Sequence, residues 1–253
     1  VDGVAEVRAL LEAARRVVVL TGAGISTDSG IADFRGPKGL WTMNPAAEKA
    51  AHISNYLADP AVRERAWQTR AASGDRPEPN VGHRALVELE RSGRLHTLIT
   101  QNVDGLHQAA GSDPALVVEV HGTIREYACL DCGSRGPMQD ALDRVVAGES
   151  DPPCLRCGGI LKSATISFGQ SLVPEDLERA MLAARAADLL LAIGSTLAVF
   201  PVADVVPLAV SHGAPAVILN DAPTEMDDIA DVVLRGSISQ VLPALVEDLS
   251  PVA

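Results

Sequence analysis

Four cysteines in two CxxC pairs, Cys129/Cys132 and Cys154/Cys157, place the tightest constraint on how this chain can fold. Every cysteine in the protein belongs to one of the pairs. A tetrad of thiolates suits a soft tetrahedral ion, most often Zn2+ in a structural site. The intervening stretch, Gly133 to Pro153, exceeds the usual zinc-ribbon spacing by only about one residue. The competing account is two unrelated redox or packing pairs. A closed four-thiolate shell leaves no position for substrate, so such a metal speaks to architecture more than to chemistry.

The rest of the 253-residue chain alternates short apolar runs, bounded by turn residues, with helical patterns. That alternation is the signature of a parallel α/β sheet. Strands are expected at Val17–Thr21, Leu95–Thr100, Leu116–Val120, Asp188–Ile193, Ala216–Asn220 and Asp231–Leu234. Their continuous Val/Leu/Ile character fits strands covered on both faces. Helices are expected at Val4–Ala14, Val81–Arg91, Pro174–Ala186, Val202–Ser211 and Ser239–Asp248. Pro174 suits a first helical turn, with Glu175 and Asp176 complementing the helix dipole. Two segments break this rhythm. Gly36 to Pro79 is polar and helical in pattern, and Thr123 to Lys162 holds the cysteines among Gly and Pro. Both read as insertions that form a smaller domain beside the sheet.

Hydrophobic residues make up 47% of the chain but aromatics only 3%, so the core must be built from Ala, Val, Leu and Ile. A net charge of -12 argues against a nucleic-acid surface, which needs clustered Lys and Arg. It favours a cationic partner such as a lysine-rich protein segment, although an acidic surface is also a route to solubility. No signal peptide is recognisable. The longest apolar run, Leu189 to Ala203, is broken by Gly194, Ser195, Thr196 and Pro201 and is too short to span a bilayer. With the cysteines assigned to metal, nothing demands an oxidising compartment. The expectation is a soluble cytoplasmic protein with neither membrane nor nucleic acid among its partners.

Four motifs carry candidate chemistry. Thr21-Gly22-Ala23-Gly24-Ile25-Ser26 follows the first strand and opens a helix, where glycines let backbone N–H groups approach a phosphate. Thr27 occupies the third glycine position of the usual dinucleotide fingerprint, and a tight turn without ligand is the alternative. Gly30-Ile31-Ala32-Asp33-Phe34-Arg35-Gly36 packs an acid, an aromatic and a guanidinium between glycines, either as a ligand-covering loop or as an ordinary surface turn. Thr100-Gln101-Asn102-Val103-Asp104-Gly105-Leu106-His107 sits at the carboxyl end of a strand, where open α/β sheets place ligands. A polar turn capping the next helix would read the same way, and His107 itself reads as packed structure. His121-Gly122 ends the next strand, and a histidine there is a candidate general base.

Together, in this order, these motifs and the CxxC pairs resemble the sirtuin family of NAD-dependent protein lysine deacylases. The resemblance continues through Phe168-Gly169, Gly194-Ser195-Thr196 and Asn220, and so covers nearly the whole chain. It implies a Rossmann-like parallel-sheet domain (residues 1–36, 95–122 and 163–253) and a small domain of helical module and zinc ribbon (37–94 and 123–162). NAD is the implied co-substrate, one structural Zn2+ the implied metal, and acyl-lysine protein the implied partner.

By that resemblance Gly22, Ala23, Gly24 and Ser26 line the pyrophosphate, and Asp33, Phe34 and Arg35 belong to the cofactor loop. Gln101, Asn102 and Asp104 hold the nicotinamide ribose and carboxamide. Gly194, Ser195, Thr196 and Asn220 hold the adenosine half, with Ile238 near the adenine. His121 is the base, with Asn102 beside it in the catalytic set, and Phe168 and Gly169 line the acyl-lysine. Ala32 replaces the family's proline, which loosens the loop, and Gly194-Ser195-Thr196 reverses the usual order of its hydroxyls. Ser163-Ala164-Thr165 and Gln170 depart from the usual peptide-binding strand. Acyl selectivity falls to Trp67-Gln68-Thr69-Arg70. In a desuccinylase-like branch a Tyr and an Arg at this spacing bind an acyl carboxylate, but here Trp67 stands in the tyrosine's place. Helical spacing puts Trp67 and Arg70 on one face, and the alternative is a buried Trp with a solvated Arg. Protein ADP-ribosylation and weakly catalytic NAD or ADP-ribose binding remain the competing functions.

Overall fold

Val17-Val18-Val19-Leu20-Thr21 is buried at every position, so both faces of this strand must be covered. The computed structural model describes residues 2–33, 39–44, 51–74 and 77–252. Its strands are β1 (Val17–Thr21), β2 (Leu95–Thr100), β3 (Val117–Glu119), β4 (Gly122–Cys129), β5 (Arg135–Pro137), β6 (Leu161–Thr165), β7 (Leu189–Ile193), β8 (Ala216–Leu219) and β9 (Val232–Leu234). The helices that matter here are α1 (Val4–Ala13), α2 (Ile53–Ala58), α3 (Pro60–Ala72), α4 (Val81–Arg91), α5 (Leu106–Ala110), α6 (Met138–Val146), α7 (Pro174–Ala186), α8 (Val205–Ser211) and α9 (Ile238–Val246).

Six strands form one sheet in the order β3-β2-β1-β7-β8-β9, and its pairs are parallel. This is the doubly wound arrangement, with the strand order reversing between β1 and β7. Alternation along each strand sends residues to two separate cores. Val17, Val19, Leu189, Leu191, Val217 and Leu219 face one cluster, completed by residues of α1, α4 and α9. Val18, Leu20, Leu190, Ala192, Ala216 and Ile218 face the other, where Ala180, Ala183, Ala184 and Ala209 from α7 and α8 bring their helices close. Small alanines against branched strands explain how the chain builds its core with so few aromatics.

The expected strands all form, each within about a residue of its expected ends. The differences lie elsewhere. The helix that opens after β1 is of the 3-10 kind, Ala23–Ser29. The expected helix Val202–Ser211 divides into a 3-10 turn, Val202–Asp204, and α8. The sequence reading assigns residues 37–94 to the smaller domain, but α4 packs Ala85, Leu86 and Leu89 into the core of the main sheet. Its apolar stripe is the face of an amphipathic helix, and the sheet is the surface that covers it. Asn80 caps this helix, accepting from the N–H groups of Gly82 and His83.

The smaller domain is built on the antiparallel sheet β5-β4-β6. Strand β4 leaves the main sheet immediately after His121, at Gly122. The positive φ there (75°) and the carbonyl of Ala164 standing where a Cβ would sit leave room for glycine alone. Trp67, Cys129, Met138, Ala141, Cys154 and Leu161 form this domain's core, and Trp67 is fully buried. Asp59 and Pro60 start α3, with the Asp59 carboxylate accepting from Ala61 N–H at 2.8 Å. Arg63 of α3 ion-pairs with Asp151 and so ties the helical module to the ribbon. Among the described residues no helix is long and apolar enough to cross a membrane.

Trp67→Ala removes the largest side chain from this small core and should destabilise the protein by about 3–5 kcal/mol. Urea unfolding of variant and native chain, followed by circular dichroism, measures the difference.

Candidate active site and metal centre

The carboxyl ends of β1, β2 and β7 meet at the point where the strand order reverses. Gly22 and Gly24 lie against the backbone of the β7 loop. A Cβ on Gly22 would meet the Gly194 carbonyl at 2.7 Å, and one on Gly24 would meet Gly194 Cα at 2.7 Å. Gly24 N–H donates to Gly194 O at 2.8 Å. In this fold the two glycines first of all let two loops touch.

A cleft of about 1630 Å3 opens over these loops and runs between the two domains. It is lined by Gly22, Ala23, Gly24, Ser26, Asp33, Gln101, Asn102, Asp104, His121, Gly194, Ser195, Thr196, Asn220 and Ile238, and at its other end by Arg70, Phe168 and Gly169. Phe34 and Arg35 lie outside the described residues. Trp67 does not line the cleft. It is the buried member of its pair, while Arg70, three residues on, reaches the opening with its guanidinium 6.0 Å from the Trp67 ring centroid.

One buried network holds the floor. Ser26 Oγ donates to Asp104 Oδ2 at 2.8 Å and accepts from Asn102 Nδ2 at 3.1 Å. Asn102 Nδ2 also donates to Gly22 O at 3.1 Å. His83 Nδ1 accepts from Asn80 N–H at 3.3 Å, so the proton of the neutral ring sits on Nε2 and faces Ser26 Oγ at 3.4 Å. Burial pushes the pKa of His83 down to about 4, which keeps it neutral at ordinary pH. Asp104 Oδ1 accepts from Leu106 N–H at 2.9 Å and so starts α5. His107, on that helix, is packed structure as expected. Its Nε2 meets Thr21 Oγ1 at 3.0 Å and its ring packs edge-on to His83, 5.0 Å between centroids.

His121 stands at the domain junction. Its Nδ1 lies 2.9 Å from the carbonyl oxygen of Gln101. A carbonyl only accepts, so Nδ1 carries the proton and Nε2 is left with its lone pair. Burial holds the His121 pKa below the usual imidazole range, against a smaller opposing pull from the Gln101 carbonyl. The ring is therefore neutral and basic at Nε2 near neutral pH. Gln101 turns its side chain the other way, with Nε2 donating to Ser195 Oγ at 2.9 Å. Across the cleft, Asn220 Nδ2 donates to Ala222 O at 2.7 Å, and Arg235 holds the Asn220 carbonyl while pairing with Asp227.

Tyr56 and Lys162 are cleft residues that the sequence reading does not single out, whereas Ser163 and Thr165 are marked there only as departures in the peptide-binding strand. Tyr56, Lys162, Ser163 and Thr165 line the same end as Arg70. Lys162 lies in β6, whose first four residues are all buried, and is itself 4% exposed.

The four cysteines come together as the spacing implies. Their Sγ atoms all lie within 4.8 Å of one another. Cys129 and Cys157 are 3.5 Å apart and Cys132 and Cys154 are 3.8 Å apart. Tetrahedral Zn–S bonds of about 2.3 Å put sulfurs about 3.8 Å from each other, so this set fits zinc. Ser134 Oγ lies 3.3 Å from both Cys132 Sγ and Cys154 Sγ, a hydroxyl placed to support the ligands.

A doubly wound sheet with a glycine-lined cleft, joined through a candidate base to a four-cysteine ribbon, is the architecture of the sirtuins. The sequence pattern of the Sir2 family matches residues 22–201, and the chain belongs to that family. The NAD-dependent protein deacetylase 2 of Streptomyces coelicolor is 49% identical over 234 residues, which cover 92% of this chain and 97% of that protein. A Sir2 enzyme solved to explain the mechanism and regulation of such enzymes has a TM-score of 0.87 at 37% identity, covering 98% of each chain. A Sir2 structure holding a p53 peptide and NAD+ has a TM-score of 0.84 at 32% identity, covering 96% of this chain and 97% of the other.

Zinc should be present at one ion per chain, held by Cys129, Cys132, Cys154 and Cys157 and needed for folding rather than for chemistry. Elemental analysis of protein purified without chelator checks this, and a zinc-free, fully folded chain would contradict it.

Proposed function

We propose that this chain is an NAD-dependent protein-lysine deacylase, with NAD consumed as co-substrate and an acylated lysine segment as the other substrate. The observation that carries the reading is His121, neutral and oriented by the Gln101 carbonyl on the wall of the cleft. Sirtuin kinship supports it, as does the likeness to a Sir2 structure that holds both NAD+ and a peptide.

In this mechanism the acyl oxygen attacks the ribose carbon as nicotinamide leaves. His121 Nε2 then takes the proton of the ribose hydroxyl that attacks the resulting imidate, and water releases lysine and O-acyl-ADP-ribose. Asn102 and Asp104, fixed through Ser26, hold the nicotinamide end. Gly22, Ala23 and Gly24 accept the pyrophosphate. Gly194, Ser195, Thr196, Asn220 and Ile238 receive the adenosine half, and Phe168 and Gly169 flank the acyl-lysine. Asp33, Phe34 and Arg35 are assigned to the cofactor loop. The zinc holds the ribbon in place and takes no part in these steps. Commitment of every cysteine to metal fits a cytoplasmic setting.

His121→Ala should lower deacylation by roughly 10²–10⁴-fold while NAD binding persists. The base must be neutral, and its pKa lies below the usual 6.5. The native chain should therefore keep its kcat/KM plateau through pH 7 and lose activity only in acid below that value. Mass spectrometry of products separates the outcomes: O-acyl-ADP-ribose indicates deacylation, whereas a heavier target protein would indicate ADP-ribosyl transfer instead.

Acyl range is the finer part of the proposal. Arg70 is taken to admit a carboxylated acyl chain alongside acetyl, through charge-assisted hydrogen bonds each contributing about 1.5–3 kcal/mol. Arg70→Met should raise KM for a succinyl-lysine peptide more than for its acetyl counterpart. Equal changes for both would assign Arg70 to structure alone.

A further inference from the structure

An acidic chain of net charge -12 keeps two cations, Arg70 and Lys162, largely buried at one end of its cleft. Among the described residues neither ion-pairs with a carboxylate, and the other charge acting on Lys162 is Arg70 itself. Buried charges without a counter-ion are costly, so an arrangement like this asks what anion completes it.

Donor counting gives the answer its chemical form. Lys162 Nζ commits its protons to Ser163 O, Thr165 O and Thr165 Oγ1, and so contributes charge rather than a free N–H. Arg70 donates to Ala66 O at 3.2 Å and to Ser163 Oγ at 3.0 Å, which leaves the other N–H groups of its five-donor fork uncommitted. Ser163 Oγ and Thr165 Oγ1 lie 2.9 Å apart and share one hydrogen bond. Each hydroxyl already accepts from a cation, so one of the two hydroxyl protons is left over whichever way their shared bond points. Tyr56 cannot supply an acceptor charge. Its hydroxyl donates to Leu161 O at 2.8 Å, and burial pushes its pKa up to about 12. The chamber therefore offers spare donors and two positive charges, with no anionic acceptor of its own.

We infer that Lys162, Ser163 and Thr165, acting with Arg70, are specificity-determining residues that select an acyl chain ending in a carboxylate. The inference rests on the deacylase reading and extends it to residues other than Arg70. Ser163 and Thr165 are two of the positions where this chain departs from the usual peptide-binding strand, and both departures install hydroxyls. All three Lys162 hydrogen bonds stay within β6, so its ammonium ties no second element to the strand.

The test measures kcat/KM for acetyl-lysine and succinyl-lysine forms of one peptide at saturating NAD. It compares the native chain with Lys162→Met and with the double variant Ser163→Ala/Thr165→Val. The succinyl-to-acetyl ratio should fall about tenfold or more in each variant, the scale of hydrogen bonds to a charged group. Taking the ratio within each variant cancels any loss of folded protein, so an unchanged ratio overturns the inference. Turnover of the acetyl peptide with none of the succinyl peptide by the native chain sinks the chamber and leaves the deacylase reading standing. Calorimetric binding gives the converse case. With neither peptide turned over, tighter binding of the succinyl peptide that Lys162→Met abolishes keeps the chamber and removes the deacylase reading. Free succinate is the remaining arm. If it competes at the concentrations at which the succinyl peptide binds, the site takes a free dicarboxylate and the assignment to an acyl chain falls.

Discussion

The contact on which the rest of this structure depends is between two backbones, where Gly22 and Gly24 press against Gly194 across the reversal point of the sheet. No side chain fits there. Because the loops meet, the ends of β1, β2 and β7 form a continuous rim, and the polar groups that follow each strand converge instead of splaying into solvent. Ser26, Asn102 and Asp104 come from two of those loops, and Gln101 reaches the third through Ser195. A binding site assembled this way is only as well ordered as the glycine contact beneath it.

Neutrality is the second theme of the site. His83, His107 and His121 all have depressed pKa values because each is buried, yet each is used differently. The pKa of His107, pushed down to about 3, goes with a position that only packs and bonds Thr21. His83 passes a proton-directed chain through Ser26 to a carboxylate. His121 alone presents a bare nitrogen to the cleft. One physical cause, loss of hydration, thus acts on a packed spacer, a network member and a candidate base, and the partner on the opposite ring nitrogen distinguishes them.

Much of this was legible in the chain. The strands could be read because residues buried on both faces leave continuous apolar runs, and the metal centre because its ligands cluster in sequence. The loop motifs marked their own places at strand ends. What could not be read depends on distant packing. The 3-10 helix after β1 rests against Gly194, a residue far along the chain. Helix α4 joins the large domain because its apolar stripe finds the sheet, which no local pattern reveals. Trp67 and Arg70 share a helix face in sequence, but only the positions of β4 and β6 decide that one is interior and the other faces the cleft. Lys162 is the plainest case, since a strand at Leu161–Thr165 is not among those expected and only its pairing with β4 buries the lysine.

Strand β4 begins at Gly122, the residue after His121, and ends at Cys129, a ligand of the metal centre. Its eight residues span about 26 Å. The strand is paired on both sides only near its Cys129 end, where β5 pairs Glu126 to Ala128 and β6 pairs Tyr127 to Cys129, and an irregularity separates that end from the Gly122–Thr165 pair. At its other end the His121 carbonyl accepts from Ile166 N–H at 2.7 Å, which ties the residue carrying the imidazole to the chain just beyond β6. The backbone that carries His121 to the cleft is thus the same backbone that delivers Cys129 to the metal centre, and the two sites share one continuous strand.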